Sequence, residues 1–411
     1  MTRVELHDLR WRRDRDGWLV GRMDTGAVVA VPEVGMRAVL LLRDGLSVEE
    51  TRARLLEECS VRLDVAGFVA GLARAGLLTV AGAAPAGQRR PPPRPTFAWL
   101  RPRHVRWASS PALPALALLA VLSAAVLVAA RPGLLPHWRD LLWSPHGTLV
   151  LLGQAAAGWT LVLAHELAHL VTARAAGVPG RITLGTRLQF LAAQTDVSGI
   201  WLAERRERLT VYLAGMATDL TAAALCLLAS SVTGRQAVLS LVVLTALTMV
   251  AAQFLVFMRT DVYFVLQDLT GCRDLYGEAV AYLRHLVVRR GPDPSLRLPP
   301  RERVSVRAYT LVLVAGTAGC LAVAGATTVP ALLAVLGGAV RGVAGARGAP
   351  GVLDGLAVLA VVGGTQALWA RAWWRRHGPR VRRQGRALTA HRLRPADRGR
   401  RRRARLRPPR P

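Results

Sequence analysis

Lysine does not occur in this 411-residue sequence, so all 55 basic residues are arginine. Acidic residues are scarce as well, 26 in all, which leaves a net charge of +29 and a pI near 11.7. The mean hydropathy is nevertheless positive, +0.29. A soluble domain seldom combines the two, and segregation reconciles them: apolar membrane spans separated by cationic loops and tails. The exclusive use of arginine reads as a compositional habit of the genome more than a design for nucleic acid. Cysteine is limited to four isolated residues, Cys59, Cys226, Cys272 and Cys320. Their spacing excludes a disulfide framework and a cysteine-based zinc site. The first thirty or so residues lack an apolar core segment, which predicts no cleavable signal peptide.

What is present divides into four regions. Residues 1–82 read as a small soluble α+β domain. The runs "GWLVGR" and "AVVAV" flank "MDTG" and predict a β-hairpin. "PEVGMRAVLLLRDG" is helical in pattern. Ser47 and Glu50 of "SVEE" form a capping box that starts a second helix, reaching about Glu58. Asp64 caps a third, in which Val65, Phe68, Val69 and Leu72 share a face. Strands with three short helices predict a winged-helix-like module. Residues 83–107 form a Pro/Arg-rich linker, extended from Pro85 through "PAGQRRPPPRP".

Residues 108–370 are expected to form a polytopic helix bundle, so the chain as a whole is mainly α. About six apolar segments have spanning length, near 111–130, 148–173, 209–230, 237–258, 308–336 and 352–370. Residues 371–411 form an arginine-rich tail. Arginines cluster before the first span, after the last, and in the loops holding Arg181 to Arg208 and Arg273 to Arg290. With six spans these all fall on one side, which the positive-inside rule makes cytoplasmic. The expected location is therefore the plasma membrane, with both termini inside. Attraction of the tail to anionic lipid is favoured over nucleic acid, because the tail lacks interleaved aromatics.

One span contains "TLVLAHELAHLVTARAAG", Thr160 to Gly177. Residues four apart lie on one helix face, so His165 and His169 can grip a single ion, and neutral imidazole is a good zinc ligand. Glu166 lies beside the first ligand without itself binding the metal, placed to act as general base and acid. Ionisable residues within a span mark function by default. One zinc ion per chain is the expected cofactor.

A zinc hydrolase needs a third protein ligand. Asp354 in "LDG" and Asp261 in "RTDVYFVLQDLTG" compete for the place. His165 lies late in an outward-to-inward span, which puts the ion toward the cytoplasmic side. Asp261 ends the fourth span on that side, whereas Asp354 begins the sixth at the other, so Asp261 is the expected ligand. Asp268, two turns further on, is a second-choice ligand or a partner behind the ligands. Between the second and third spans, "RITLGTRLQFLAAQTDVSGIW" suggests extended backbone near the membrane. It is either a strand edge that holds a substrate peptide or a plain connecting loop. Asp219, in "LAGMATDLTAA" of the third span, is a candidate for positioning substrate, for supporting the metal site, or for a structural hydrogen bond between spans.

Together "HELAH" in one span, "AGMATD" in the next and an aspartate after a later span resemble the site-2 protease family of intramembrane zinc metallopeptidases. The resemblance covers roughly residues 110–270. It implies that His165, His169 and Asp261 bind zinc and that Glu166 is the general base. This sequence departs from the family pattern in having Val262 after Asp261, where glycine is usual, and Met216 and Asp219 where proline and asparagine are usual. "TDVYFVLQDLTGCRDL" is similar to a variant in family members associated with peptide natural-product clusters. "GWLVGRMDTGAVVAVPEVG" followed by "DGLSVEE" resembles the PqqD-like peptide-recognition domain, a winged helix that captures leader peptides as an added strand. The expected function is an intramembrane zinc metalloendopeptidase that cleaves a membrane-associated or leader-bearing peptide, with maturation of a ribosomally made peptide as one role. The alternatives are a non-proteolytic membrane protein for peptide binding or export, and a regulatory protease acting on a membrane-bound transcription regulator.

Overall fold

A computed structural model of the chain describes residues 4–14, 17–80, 94–141, 143–144, 147–187, 190–272, 274–289, 291–323, 325, 329–345 and 349–392. It resolves into two units. Residues Met1–Thr183 with Ala193–Val335 form the first, and Leu184–Ala192 with Leu336–Pro411 the second.

The first unit begins with strands β1 (Val4–Leu6), β2 (Arg10–Asp14), β3 (Gly17–Gly21) and β4 (Val28–Val31). Helices α1 (Glu33–Arg43), α2 (Val48–Cys59) and α3 (Val65–Ala75) follow, and β5 (Leu78–Val80) closes the domain by pairing antiparallel with β1. The β3–β4 hairpin forms where the apolar runs place it. The capping box of α2 is also present: Glu50 N–H donates to Ser47 Oγ at 3.2 Å and Ser47 N–H to Glu50 Oε2 at 2.8 Å. Such a cap contributes about 1 kcal/mol. Asp64 accepts from Gly67 N–H and so starts α3.

Strand β2 lacks an apolar signature, because its sequence is Arg-Trp-Arg-Arg-Asp, and pairing with β3 creates it. Alternation then gives the sheet two working faces. Trp11, Trp18, Val20, Val29 and Val31 join the domain core beneath α1, α2 and α3. The opposite face carries Arg12 and Leu19 and rests on the 3-10 turn Ser198–Leu202 of the membrane region. Arg12 Nε donates to the Trp201 carbonyl at 3.1 Å. At that junction Gly199 is close-packed, since a Cβ there would lie 2.3 Å from the Met23 carbonyl oxygen.

The membrane region contains α4 (Pro102–Val105), α5 (Ala112–Ala130), α6 (Gly147–Ala175), the paired strands β6 (Arg181–Arg187) and β7 (Phe190–Asp196), α7 (Arg205–Thr233), α8 (Ala237–Gln253), α9 (Asp261–Thr270), α10 (Leu275–Val288) and α11 (Pro300–Val323). Helices α12 (Val329–Gly345) and α13 (Ala349–Arg392) follow. Alanines line the helix crossings: Ala124 of α5 meets Ala224 and Leu227 of α7 and Val243 of α8, and Leu161 of α6 meets Ala223 and Ala246. Small residues there let the backbones approach closely.

The chain is a membrane protein, mainly helical, with four helices among the described residues long and apolar enough to cross a bilayer. They are Ala112–Ala130, Thr148–Ala175, Arg205–Thr233 and Gly351–Arg375. The expectation of six is met only in part. The fourth expected segment forms α8, apolar but only 17 residues and so about 25 Å long. The fifth is divided between α11, whose first turns carry Arg301, Glu302, Arg303 and Arg307, and α12.

Part of the expected linker is structured. Thr96 is held by its carbonyl, which accepts from Arg174 Nη2 at 3.0 Å, and by its hydroxyl, which accepts from Ile182 N–H at 2.9 Å. Pro85 to Pro93 lie outside the described residues. In the second unit, α12 and α13 cross tightly at Gly355, where a Cβ would lie 2.9 Å from the Ala339 carbonyl oxygen. The helix of the sixth expected span continues into the arginine-rich tail as far as Arg392, and the rest of the tail lies outside the described residues.

Candidate metal centre

Three helices build the centre. On α6 the buried residues Leu161, His165, His169 and Ala173 recur every fourth position and form one stripe. On α7 a second stripe runs through Arg208, Val211, Gly215 and Asp219. Helix α9 lies antiparallel along that stripe: its Asp261 meets the histidines, Phe264 stacks on Tyr212 with ring centroids 5.8 Å apart, and Asp268 meets Arg208. Gln253 at the end of α8 fixes the start of α9, accepting the Asp261 N–H on Oε1 at 3.1 Å and the Thr260 hydroxyl on its carbonyl at 2.5 Å.

The structure therefore brings His165, His169 and Asp261 together. Their facing atoms form a nearly equilateral triangle. His165 Nε2 and Asp261 Oδ2 are 3.0 Å apart, His169 Nε2 and Asp261 Oδ2 3.1 Å, and the two Nε2 atoms 3.2 Å. The far side of each imidazole is occupied: His165 Nδ1 lies 2.7 Å from Asp219 Oδ2, and His169 Nδ1 lies 2.7 Å from the Val211 carbonyl oxygen. A carbonyl can only accept, and an ionised carboxylate likewise, so both Nδ1 atoms carry the proton of the neutral ring. Two bare Nε2 lone pairs and a carboxylate oxygen then converge on one point. That arrangement is repulsive unless a positive charge sits among them.

A metal ion meets the requirement. The three residues offer one ligand atom each, all within 4.8 Å of one another. A tetrahedral site with bonds of about 2.05 Å has ligand atoms about 3.3 Å apart, close to the triangle observed. Gly215 faces the same point: a Cβ there would lie 2.4 Å from His165 Nε2 and 2.6 Å from His169 Nε2.

Glu166 stands beside the triangle and half-buried. The Thr195 hydroxyl of β7 donates to its Oε2 at 2.6 Å, and also lies 3.0 Å from the Glu166 backbone carbonyl. Asp219 is fully buried; one oxygen binds His165 and the other, Oδ1, has no hydrogen-bond partner among the described residues. Of the roles expected for Asp219, support of a ligand is the one visible in the hydrogen bonds. Asp268 does not join the centre. Two helical turns, about 10 Å, separate it from Asp261. It forms a two-pronged pair with Arg208, at 2.6 Å to Nη2 and 3.1 Å to Nε, while Arg208 Nη1 donates to the Ala203 carbonyl at 2.8 Å. Asp354 lies on α13, in the second unit.

Comparison of the chain with family models, with curated proteins and with solved structures finds no match. The chemistry of the centre must be read from its own geometry. Thr195, Gly215, Gln253 and the Val211 carbonyl escape sequence reading. A backbone carbonyl has no letter of its own, and Thr195 arrives from a hairpin 29 residues away. Gly215 left a trace, four residues before Asp219 on the same helical stripe, and Thr195 lies in the stretch expected to be extended, though with no role given to it.

The cysteines carry no such arrangement. Cys59, Cys226 and Cys272 are free thiols, and burial pushes that of Cys272 up to about 11. The Cys320 side chain lies outside the described residues.

Proposed function

We propose that the chain is an intramembrane zinc metalloendopeptidase, with His165, His169 and Asp261 as metal ligands and Glu166 as general base. The observation that carries the proposal is the triangle of Nε2, Nε2 and Oδ2 atoms with the Glu166 carboxylate, held by Thr195, beside it. Bound zinc would act as a Lewis acid on a substrate carbonyl and would make a water molecule acidic enough to attack near neutral pH. The protein's own groups do the rest. Asp219 and the Val211 carbonyl hold the imidazoles in the tautomer that presents Nε2, a form of support worth about 10–100-fold in metal affinity. Glu166 accepts a proton from the attacking water and delivers it to the departing amine. Thr195 keeps that carboxylate oriented between the two transfers.

The likeness of the HELAH span to site-2 proteases supports cleavage within or beside the bilayer, and the likeness of the N-terminal domain to PqqD-like modules supports a peptide substrate. Both termini are assigned to the cytoplasm on the distribution of arginine. Incubation of the protein, reconstituted in liposomes, with a mixed peptide library and mass-spectrometric readout tests the proposal. Cleavage should cease on treatment with a zinc chelator and return when zinc is added back. Cleavage that survives complete removal of the metal, or no cleavage by the fully loaded protein, would contradict it.

A further inference from the structure

At the seam between the N-terminal sheet and the membrane region lies a pocket of about 400 Å³, outside the metal centre. Four arginines line it, Arg12 and Arg13 from β2 and Arg205 and Arg208 from α7, against two acids, Asp14 and Asp268. The balance is two positive charges in excess. Arg208 is committed to Asp268 and the Ala203 carbonyl. Among the described residues Arg12 donates only through its Nε, to Trp201, and burial followed by repulsion from Arg208 holds its guanidinium below the ordinary range. Arg13 lies over the Trp18 ring at 6.0 Å and is otherwise exposed. Beneath them the hydroxyl of Tyr212 is buried without a hydrogen-bond partner among the described residues, and its electrostatic neighbours are Arg208, Asp268 and Arg12. Tyr212 itself does not line the pocket; the excess of arginine on its walls suits an anion.

The remaining walls say which kind. Leu19, Val28, Trp201 and Leu269 are apolar, with Gln267, Gly271 and Cys272 completing the lining; the apolar part suits the aliphatic stem of a side chain better than a small hydrated ion. Asp268 on the pocket wall and Asp261 at the metal centre are about 10 Å apart along α9, so the pocket and the metal centre share one helix.

We propose that the seam pocket binds the carboxylate side chains of an acidic peptide segment and docks that segment between the N-terminal domain and the membrane bundle. The proposal presupposes the peptidase function and names the class of substrate it would select.

Fluorescence anisotropy with the full chain in neutral detergent tests it, using a labelled nine-residue peptide carrying two glutamates and its glutamine counterpart. The glutamate peptide should bind about 10-fold tighter or more, the range expected for a hydrogen bond to a charged group. The exposed changes Arg13→Gln and Arg205→Gln should each weaken it several-fold. Equal binding of the two peptides, or no effect of these variants, would overturn the proposal. Displacement by inorganic phosphate at the peptide's own concentration would reveal a plain anion site, and displacement by phosphatidylglycerol in the micelle a lipid headgroup site; either result overturns it too. Zinc is measured on the same samples. Loss of the glutamate preference with zinc in place sinks the pocket alone, whereas a retained preference in protein that never binds zinc sinks the peptidase.

Discussion

Glu166→Gln should lower peptide cleavage by about 10²–10⁴-fold, the usual contribution of a general acid–base group. Zinc should remain at the wild-type level. The substitution keeps the size of the side chain and an oxygen that can still accept from the Thr195 hydroxyl, now 2.6 Å from Oε2. What it removes is the capacity to take a proton from water and return it to the amine. None of the three converging ligand atoms belongs to Glu166, so the ion should not notice the change. Turnover within tenfold of wild type would mean that Glu166 is not the base. Loss of zinc would mean that it is a ligand, contrary to the role assigned here. A non-proteolytic binding protein, by contrast, would have no cleavage to lose.

Gly215→Ala should weaken metal binding by about 10–100-fold, while leaving the helix intact. Alanine is intrinsically the better helix former by about 1 kcal/mol, so damage cannot be blamed on helix propensity. The added Cβ would sit 2.4 Å from His165 Nε2 and 2.6 Å from His169 Nε2. Neither imidazole can swing aside without breaking its Nδ1 hydrogen bond, to Asp219 or to the Val211 carbonyl. Competition with a zinc chelator measures the affinity, and circular dichroism checks the helix. Wild-type affinity in a folded variant would show that the ion, if bound, sits elsewhere.

Much of the centre was legible in the sequence because helical spacing is regular. Two histidines four apart must share a face, and the topology argument preferred Asp261, the residue the structure brings to them. The long-range partners were not legible. Asp219 offered several roles until its distance to His165 was known, and Asp268 became a partner of Arg208 only once α9 lay antiparallel on α7. In the N-terminal domain the hairpin and the two capped helices follow from local chemistry, whereas β2 exists only because β3 pairs with it. Of the six expected spans, four helices among the described residues have spanning length. Hydropathy registers an apolar run but not the Gln253 side chain at the end of α8 that holds the first N–H of α9.

The most direct test is elemental analysis of the detergent-solubilised, folded protein. One zinc per chain is expected in the wild type, falling to a small fraction when His165 and Asp261 are both replaced by alanine. Folded wild-type protein that takes up no divalent metal even when zinc is supplied, or a double variant that keeps its full complement, would contradict the metal centre and with it the proposed chemistry.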